Sequence, residues 1–228
     1  MQENAIKLSK SKGTRRNASG FSLIELLISM TITLIIVGLA FTLLARALNE
    51  RTRDTTQAGE LADANQAIGR MTDEMMNSGF ALNSNGLVAA DCTSNKVRIR
   101  ANLNAFSMET TSGTVTDPNE DVIFQAVANA DGTASLIRTD VAAAQSSVVA
   151  TQIDNVDLDA DGVGDGVKFT YLDASGVATT AALAVRVSMV VRITLSEVGK
   201  PGSPGYQPAV TKLLTSSVVL RNATLATY

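Results

Sequence analysis

The sequence predicts an α+β fold, one long N-terminal helix laid on an antiparallel β-sheet. Three observations carry that expectation. Residues 21–45 form an apolar run broken by a single charge, Glu25. Beyond it the pattern turns amphipathic with no turn signal between, as Leu61, Ala64, Ile68, Met71 and Met75 recur at the three- and four-residue steps of one helix face. From about Phe80 onward, short apolar or alternating runs are separated by clusters of Asn, Asp, Gly and Ser, the texture of strands and their turns.

The elements follow in chain order. Residues 1–20 carry Lys7, Lys10, Lys12, Arg15 and Arg16 against Glu3, a net +4, which leaves −7 for the rest of a 228-residue chain whose total is −3. A basic head before an apolar run reads as a targeting segment. Residues 21–45 are long enough to cross a bilayer as a helix rising about 1.5 Å per residue. Arg46, Arg51 and Arg53 follow soon after, so the bias toward a cytoplasmic N-terminus is modest. A cleaved secretory signal is a competing reading, because Ala45-Arg46-Ala47 has the small-x-small form that precedes cleavage. Against it, the run exceeds the roughly 7–15 apolar residues of such signals, and Glu25 lies inside it.

The helix is expected to continue to about Asn77, with Gly79 as its stop. Such a helix of about 55 residues would span about 80 Å. Gly38, Gly59 and Gly69 weaken it locally, each by about 1 kcal/mol relative to Ala. Its amphipathic half should pack an apolar stripe on the β-rich part. Strands are expected at Lys96–Arg100, Val122–Val127, Ser135–Arg138, Val167–Leu172, Val185–Leu195 and Leu213–Leu220, with a Pro/Gly loop at Gly199–Pro208. In Val185–Leu195 the residues Val185, Val187, Met189, Val191, Ile193 and Leu195 alternate with mostly polar partners, the mark of a half-buried strand.

Composition removes several function classes. The chain has no His and one Cys, Cys92. An intramolecular disulfide is therefore excluded, as are Ser-His-Asp and Cys-His nucleophilic sites and every His-ligated metal site. No enzymatic activity is expected. The acidic body carries no stripe of Lys and Arg to neutralise phosphates, which argues against nucleic-acid partners. Cys92 is read as an unpaired small residue in a loop, with pairing between molecules open in an oxidising compartment.

The junction Gly20-Phe21-Ser22-Leu23-Ile24-Glu25-Leu26-Leu27 resembles the class III leader junction of type IV pilins and type II secretion pseudopilins: a basic leader, Gly, Phe, three residues, Glu, then an apolar helix. The resemblance implies that a prepilin peptidase cuts after Gly20 and that the new Phe21 amine is methylated. It also gives Glu25 a physical role. A carboxylate in an apolar bundle is strongly disfavoured alone, whereas pairing with the Phe21 amine of its own or a neighbouring chain fixes axial register. The plainer alternative is a polar residue snorkelling at the membrane edge.

A looser similarity extends over much of the chain. Arg70-Met71 through Asn77-Ser78-Gly79-Phe80, the Val185–Leu195 strand and the closing Val218-Val219-Leu220-Arg221-Asn222 are similar to PilW-type minor pilins and J-type minor pseudopilins. The resemblance implies a leader over 1–20, a transmembrane half-helix over 21–45, an amphipathic half-helix over 46–78 and a globular β-rich pilin domain over 79–228. The implied protein is a minor pilin that helps initiate or cap a type IV pilus. It would sit in the inner membrane of a Gram-negative-type bacterium with its C-terminal domain in the periplasm, then in the extracellular fibre, among other minor and major pilins and a tip adhesin. The alternatives are a type II secretion minor pseudopilin and a calcium-binding membrane-anchored module.

The stretch Asp157-Leu158-Asp159-Ala160-Asp161-Gly162-Val163-Gly164-Asp165 has the D-x-D-x-D-G-x-x-D spacing of a calcium loop. Alternate carboxylates on a turning backbone converge, Gly162 permits the sharp turn, and the Val163 carbonyl and Asp165 complete a candidate Ca²⁺ ligand set with Asp157, Asp159 and Asp161. The pattern departs from an EF-hand at its twelfth position, Lys168, where a bidentate Glu would stand. Asp154 or Asp173 is available to complete the shell. A solvated Asp/Gly turn is the alternative. Repulsion among four carboxylates favours a cation, at an affinity of about 10⁻⁴–10⁻³ M, the range of extracellular modules. Asn222-Ala223-Thr224 fits a glycosylation sequon but is read as structural.

Overall fold

The structure, a computed structural model, describes residues 22–104, 115, 117–203 and 206–223. The expected layout is present: one long N-terminal helix and a seven-stranded antiparallel sheet, an α+β arrangement of the type IV pilin-like kind. Helix α1 runs from Leu23 to Met76, 54 residues without a break. The chain divides into two units, the first ending at Ala45 and the second running from Arg46.

In the second unit α1 buries Ala64, Ala67, Met71 and Met75, with Leu61 and Ile68 partly buried beside them. The stripe read from sequence is therefore the face that packs. Small Ala64 and Ala67 let the helix approach the sheet closely, while Met71 and Met75 fill the space further along, as flexible thioethers do. The helix stops where expected. Gly79 adopts φ +77°, a left-handed conformation that glycine takes without steric cost, and its N–H bonds to the Arg100 carbonyl at 2.8 Å.

The strands are β1 (Lys96–Arg100), β2 (Asp121–Ala128), β3 (Thr133–Asp140), β4 (Gln145–Asp154), β5 (Val167–Leu172), β6 (Arg186–Leu195) and β7 (Val210–Val219). Their order is β1-β2-β3-β4-β6-β5, with β7 paired along β6. β6 is the central strand, holding β5 at Arg186–Val191, β4 through Ile153↔Ile193, and β7 from Arg186 to Leu195. Its alternation is the cleanest in the chain, and Val187, Met189, Val191, Ile193 and Leu195 are all buried. Beside them Phe124, Leu136 and Ile153 complete the core against α1.

Strand β4 has no counterpart in the sequence reading. Its segment begins Gln-Ser-Ser and carries Thr151 and Gln152, and only Ala150 and Ile153 are buried. A register shift against β3 and a left-handed Gln152, φ +57°, break the period-two pattern that marks a strand.

Polar bonds fasten helix to sheet. Glu60 accepts the Ser196 hydroxyl at 2.5 Å and N–H at 3.1 Å, Arg53 donates to Gln207 at 2.5 Å, and Thr72 meets Ser216 at 3.4 Å. Arg138 of β3 donates through Nε to both oxygens of Glu74, at 2.8 and 3.1 Å, and through an Nη to Asn119 at 2.9 Å. Asn222 donates to the Ser78 carbonyl at 2.9 Å, so its amide ties the chain's closing turn to the helix end, in keeping with a structural role.

Candidate functional site

The leader junction and the apolar half-helix form the first candidate site. Gly20 and Phe21, where cleavage and methylation are expected, lie outside the described residues. Glu25 stands in the first turn of α1, its N–H and that of Leu26 bonded to the Ser22 carbonyl at 3.0 and 3.2 Å. An anion there faces the positive end of the helix dipole, so its position is favourable before any partner chain is added. From Ser22 through Leu48 no side chain is covered, although the sequence is rich in Leu, Ile and Val. A surface so apolar belongs in lipid or against other helices. This is the one helix among the described residues long and apolar enough to cross a membrane.

Four hydroxyls of this segment are satisfied within it. Ser29 donates to the Leu26 carbonyl at 2.9 Å, Thr31 to Ile28 at 2.8 Å, Thr33 to Ser29 at 2.7 Å and Thr42 to Leu39 at 2.7 Å. Intrahelical back-bonding removes the penalty that a free hydroxyl would bring into an apolar medium.

The second candidate site is the acidic loop between β4 and β5. It places one carboxylate oxygen from each of Asp157, Asp159 and Asp165 within 4.8 Å of one another. Asp161 turns to its own backbone, accepting the Val163 N–H at 2.8 Å. Asp157 accepts the Gly162 N–H and Asp165 the Leu158 N–H, both at 2.8 Å. Asp154 accepts the Val156 N–H and lies 4.0 Å from Arg192, and Asp173 caps its own turn through Ser175 and Val177, so neither joins the group.

Lys168 is the residue whose part the sequence reading did not foresee. Its Nζ lies 3.3 Å from Asp159 and 3.1 Å from Asp165. The position where an EF-hand has its last carboxylate thus supplies an ammonium to the cluster, and the charge that sequence reasoning assigned to a metal is partly met by the chain itself. The Leu158 N–H and the Lys168 ammonium together hold the Asp165 carboxyl below its ordinary range, and Asp165 and Asp159 raise Lys168. The donor set is all oxygen, the kind that suits a hard cation, and Lys168 already partly neutralises two of its three carboxylates.

Cys92 is half-buried and unpaired, its thiol donating to the Arg98 carbonyl at 3.7 Å. Burial pushes the thiol up, so little of it is the reactive thiolate.

Comparison with known families matches residues 15–43 to the prokaryotic N-terminal methylation motif. Comparisons with curated proteins and with solved structures returned no match. The matched stretch covers Arg15 and Arg16 before the junction, Gly20, Phe21, Glu25 and most of the apolar half-helix. It supports a type IV pilin-like protein, carrying a leader processed by a prepilin peptidase and an apolar helix that anchors it in a membrane and assembles with other pilins.

Proposed function

We propose that this chain is a minor pilin of a type IV pilus, of the PilW type, which helps initiate or cap the fibre. The observation that carries the reading is a prepilin-type junction leading straight into a helix whose first, apolar half is uncovered, with Glu25 in its first turn. After cleavage at Gly20, the Phe21 amine and Glu25 provide opposite charges for register between neighbouring subunits. A β-rich unit of this size beside one helix suits a low-copy cap better than a closely packed shaft subunit. The protein would act as a structural subunit without catalytic activity, moving from the inner membrane to an extracellular fibre, in contact with other minor pilins and a tip adhesin.

The test is the N-terminal mass of membrane-extracted protein with and without the prepilin peptidase. A chain beginning at a methylated Phe21 only when the peptidase is present supports the reading. An intact Met1, or a start near Leu48, overturns it. Crosslinking along isolated fibres separates cap from shaft, and capture of secretion components in place of pilus components would assign the chain to a type II secretion pseudopilus.

Calcium binding at Asp157, Asp159 and Asp165 is a second reading, favoured by the convergence of their carboxylates. Asp159→Ala should then lower the melting temperature in excess calcium but not in chelator. Equal melting temperatures for both proteins in calcium would reject the metal.

A further inference from the structure

A cavity of about 190 Å³ lies between the last turns of α1 and strands β1–β3. Ile99, Ala101 and Leu103 supply apolar lining, and Glu74, Asn77, Arg100, Asn119, Glu120 and Arg138 supply the polar part. A cavity of about 150 Å³ is enough for a benzene-sized molecule, so this one has room for a short alkyl chain with a polar head.

The charges around it are unevenly matched. Arg138 is committed to Glu74, and Arg100 donates at 2.9 Å to Asp121, a carboxylate it shares with Arg98. Glu120 is only 3% exposed, yet no Lys or Arg among the described residues lies within ion-pair distance of it. Among the described residues its oxygens accept main-chain N–H groups only, from Leu103 at 2.8 Å and from Asn104 and Asp117 at 3.3 Å each. In sequence, the residues between Asn104 and Asp117 include Glu109 and no Lys or Arg. A carboxylate this buried is ordinarily matched by an opposite charge.

We propose that this cavity binds a primary alkylammonium group, its charge met by Glu120 and its methylene stem by Ile99, Ala101 and Leu103. The group is carried by a free amine or by a lysyl side chain, since both present an ammonium on an unbranched stem.

The test titrates the full chain, in detergent micelles, with n-butylammonium chloride, with n-butanol as the neutral isostere, and with the peptide acetyl-Gly-Lys-Gly-amide, following the Ile99 and Leu103 methyl resonances. A saturable shift with butylammonium, at an affinity about ten-fold or more above that of butanol, supports the site, because a hydrogen bond to a charged group is worth at least that factor. Glu120→Gln should remove the preference for the amine. Because Glu120 also holds main-chain N–H groups, Ala101→Leu provides a second variant, which fills the cavity and should abolish both shifts while the melting transition stays cooperative. Peptide binding as tight as butylammonium assigns the site to a lysyl side chain, and amine binding without peptide binding assigns it to free amines. No saturable shift, equal affinity for amine and butanol, or unchanged binding by Ala101→Leu overturns the proposal.

Discussion

Glu74 and Arg138, 64 positions apart in sequence, are joined by one guanidinium Nε that donates to both carboxylate oxygens. Arg138 is 6% exposed, and the pair is the charged tie between α1 and the middle of the sheet. Removing one partner of a buried ion pair typically costs about 3–5 kcal/mol because the other charge is stranded. Glu74 retains some contact with water, which lowers that cost. Arg138→Ala should therefore destabilise the protein by about 2–3 kcal/mol, with Glu74→Gln milder, measured by urea unfolding. A loss under about 0.5 kcal/mol for Arg138→Ala would show that water replaces the tie.

Gly86 and Gly132 both have positive φ, +79° and +84°, but differ in what surrounds them. A Cβ on Gly86 would collide with the Gly79 nitrogen, the Arg100 carbonyl and the Ser78 hydroxyl, whereas one on Gly132 meets open space. Gly132→Ala should cost about 1 kcal/mol from backbone conformation alone. Gly86→Ala adds overlap with rigid backbone and should cost about 3 kcal/mol or more. Melting temperatures of the two variants make the comparison, and equal losses would remove the close packing of the 79–86 loop on β1.

Acid should unfold the β-rich unit through its paired carboxylates. Burial raises Asp121, but Arg98 and Arg100 outweigh it and hold the carboxyl below its ordinary 3.8. Asp91 is held low by Arg98 and Lys96, and Asp165 by the Leu158 N–H and Lys168. A carboxylate lowered in the folded state contributes stability that is complete above its unfolded value and is lost as pH falls through the folded one. Urea midpoints should therefore be level from neutral pH down to about 5 and drop below about 4, and Asp121→Asn should blunt the drop. A midpoint unchanged at pH 3 would contradict the assignment.

On the second reading, a divalent cation at the acidic loop would meet Lys168, which already lies 3.3 Å from Asp159 and 3.1 Å from Asp165. Lys168→Met should destabilise the loop in chelator and make the melting temperature more responsive to millimolar calcium than in the parent protein. An equal calcium response in both would show that Lys168 does not guard the cluster.

What the sequence made legible was whatever depends on periodicity or on a contiguous motif. The Leu61–Met75 stripe and the alternating β6 announced themselves because every third or fourth residue of the helix and every second residue of the strand faces the core. Strand β4 did not, since a bulge and a left-handed Gln152 spoil its alternation. Glu120, Asp121, Arg138 and Asp140 are buried charged residues whose partners come from other segments or from main-chain groups, and nothing local in the sequence distinguishes them from solvated charges. The acidic cluster was legible as spacing, yet the place of Lys168 within it depends on how β5 leaves the loop.

The self-satisfied hydroxyls of Ser29, Thr31, Thr33 and Thr42 bear on how such a helix changes surroundings. Hydroxyls that draw no hydrogen bond from their environment have the same bonding inventory in a lipid bilayer as among other apolar helices. Were the segment to pass between the two, as the proposed function requires, the exchange would trade mainly dispersion contacts and the environment of Glu25, so helix packing and one charge would set its direction. On the proposed function the apolar half-helix would be a near-neutral carrier between two oils, and Glu25, its one carboxylate, would be the latch that distinguishes them.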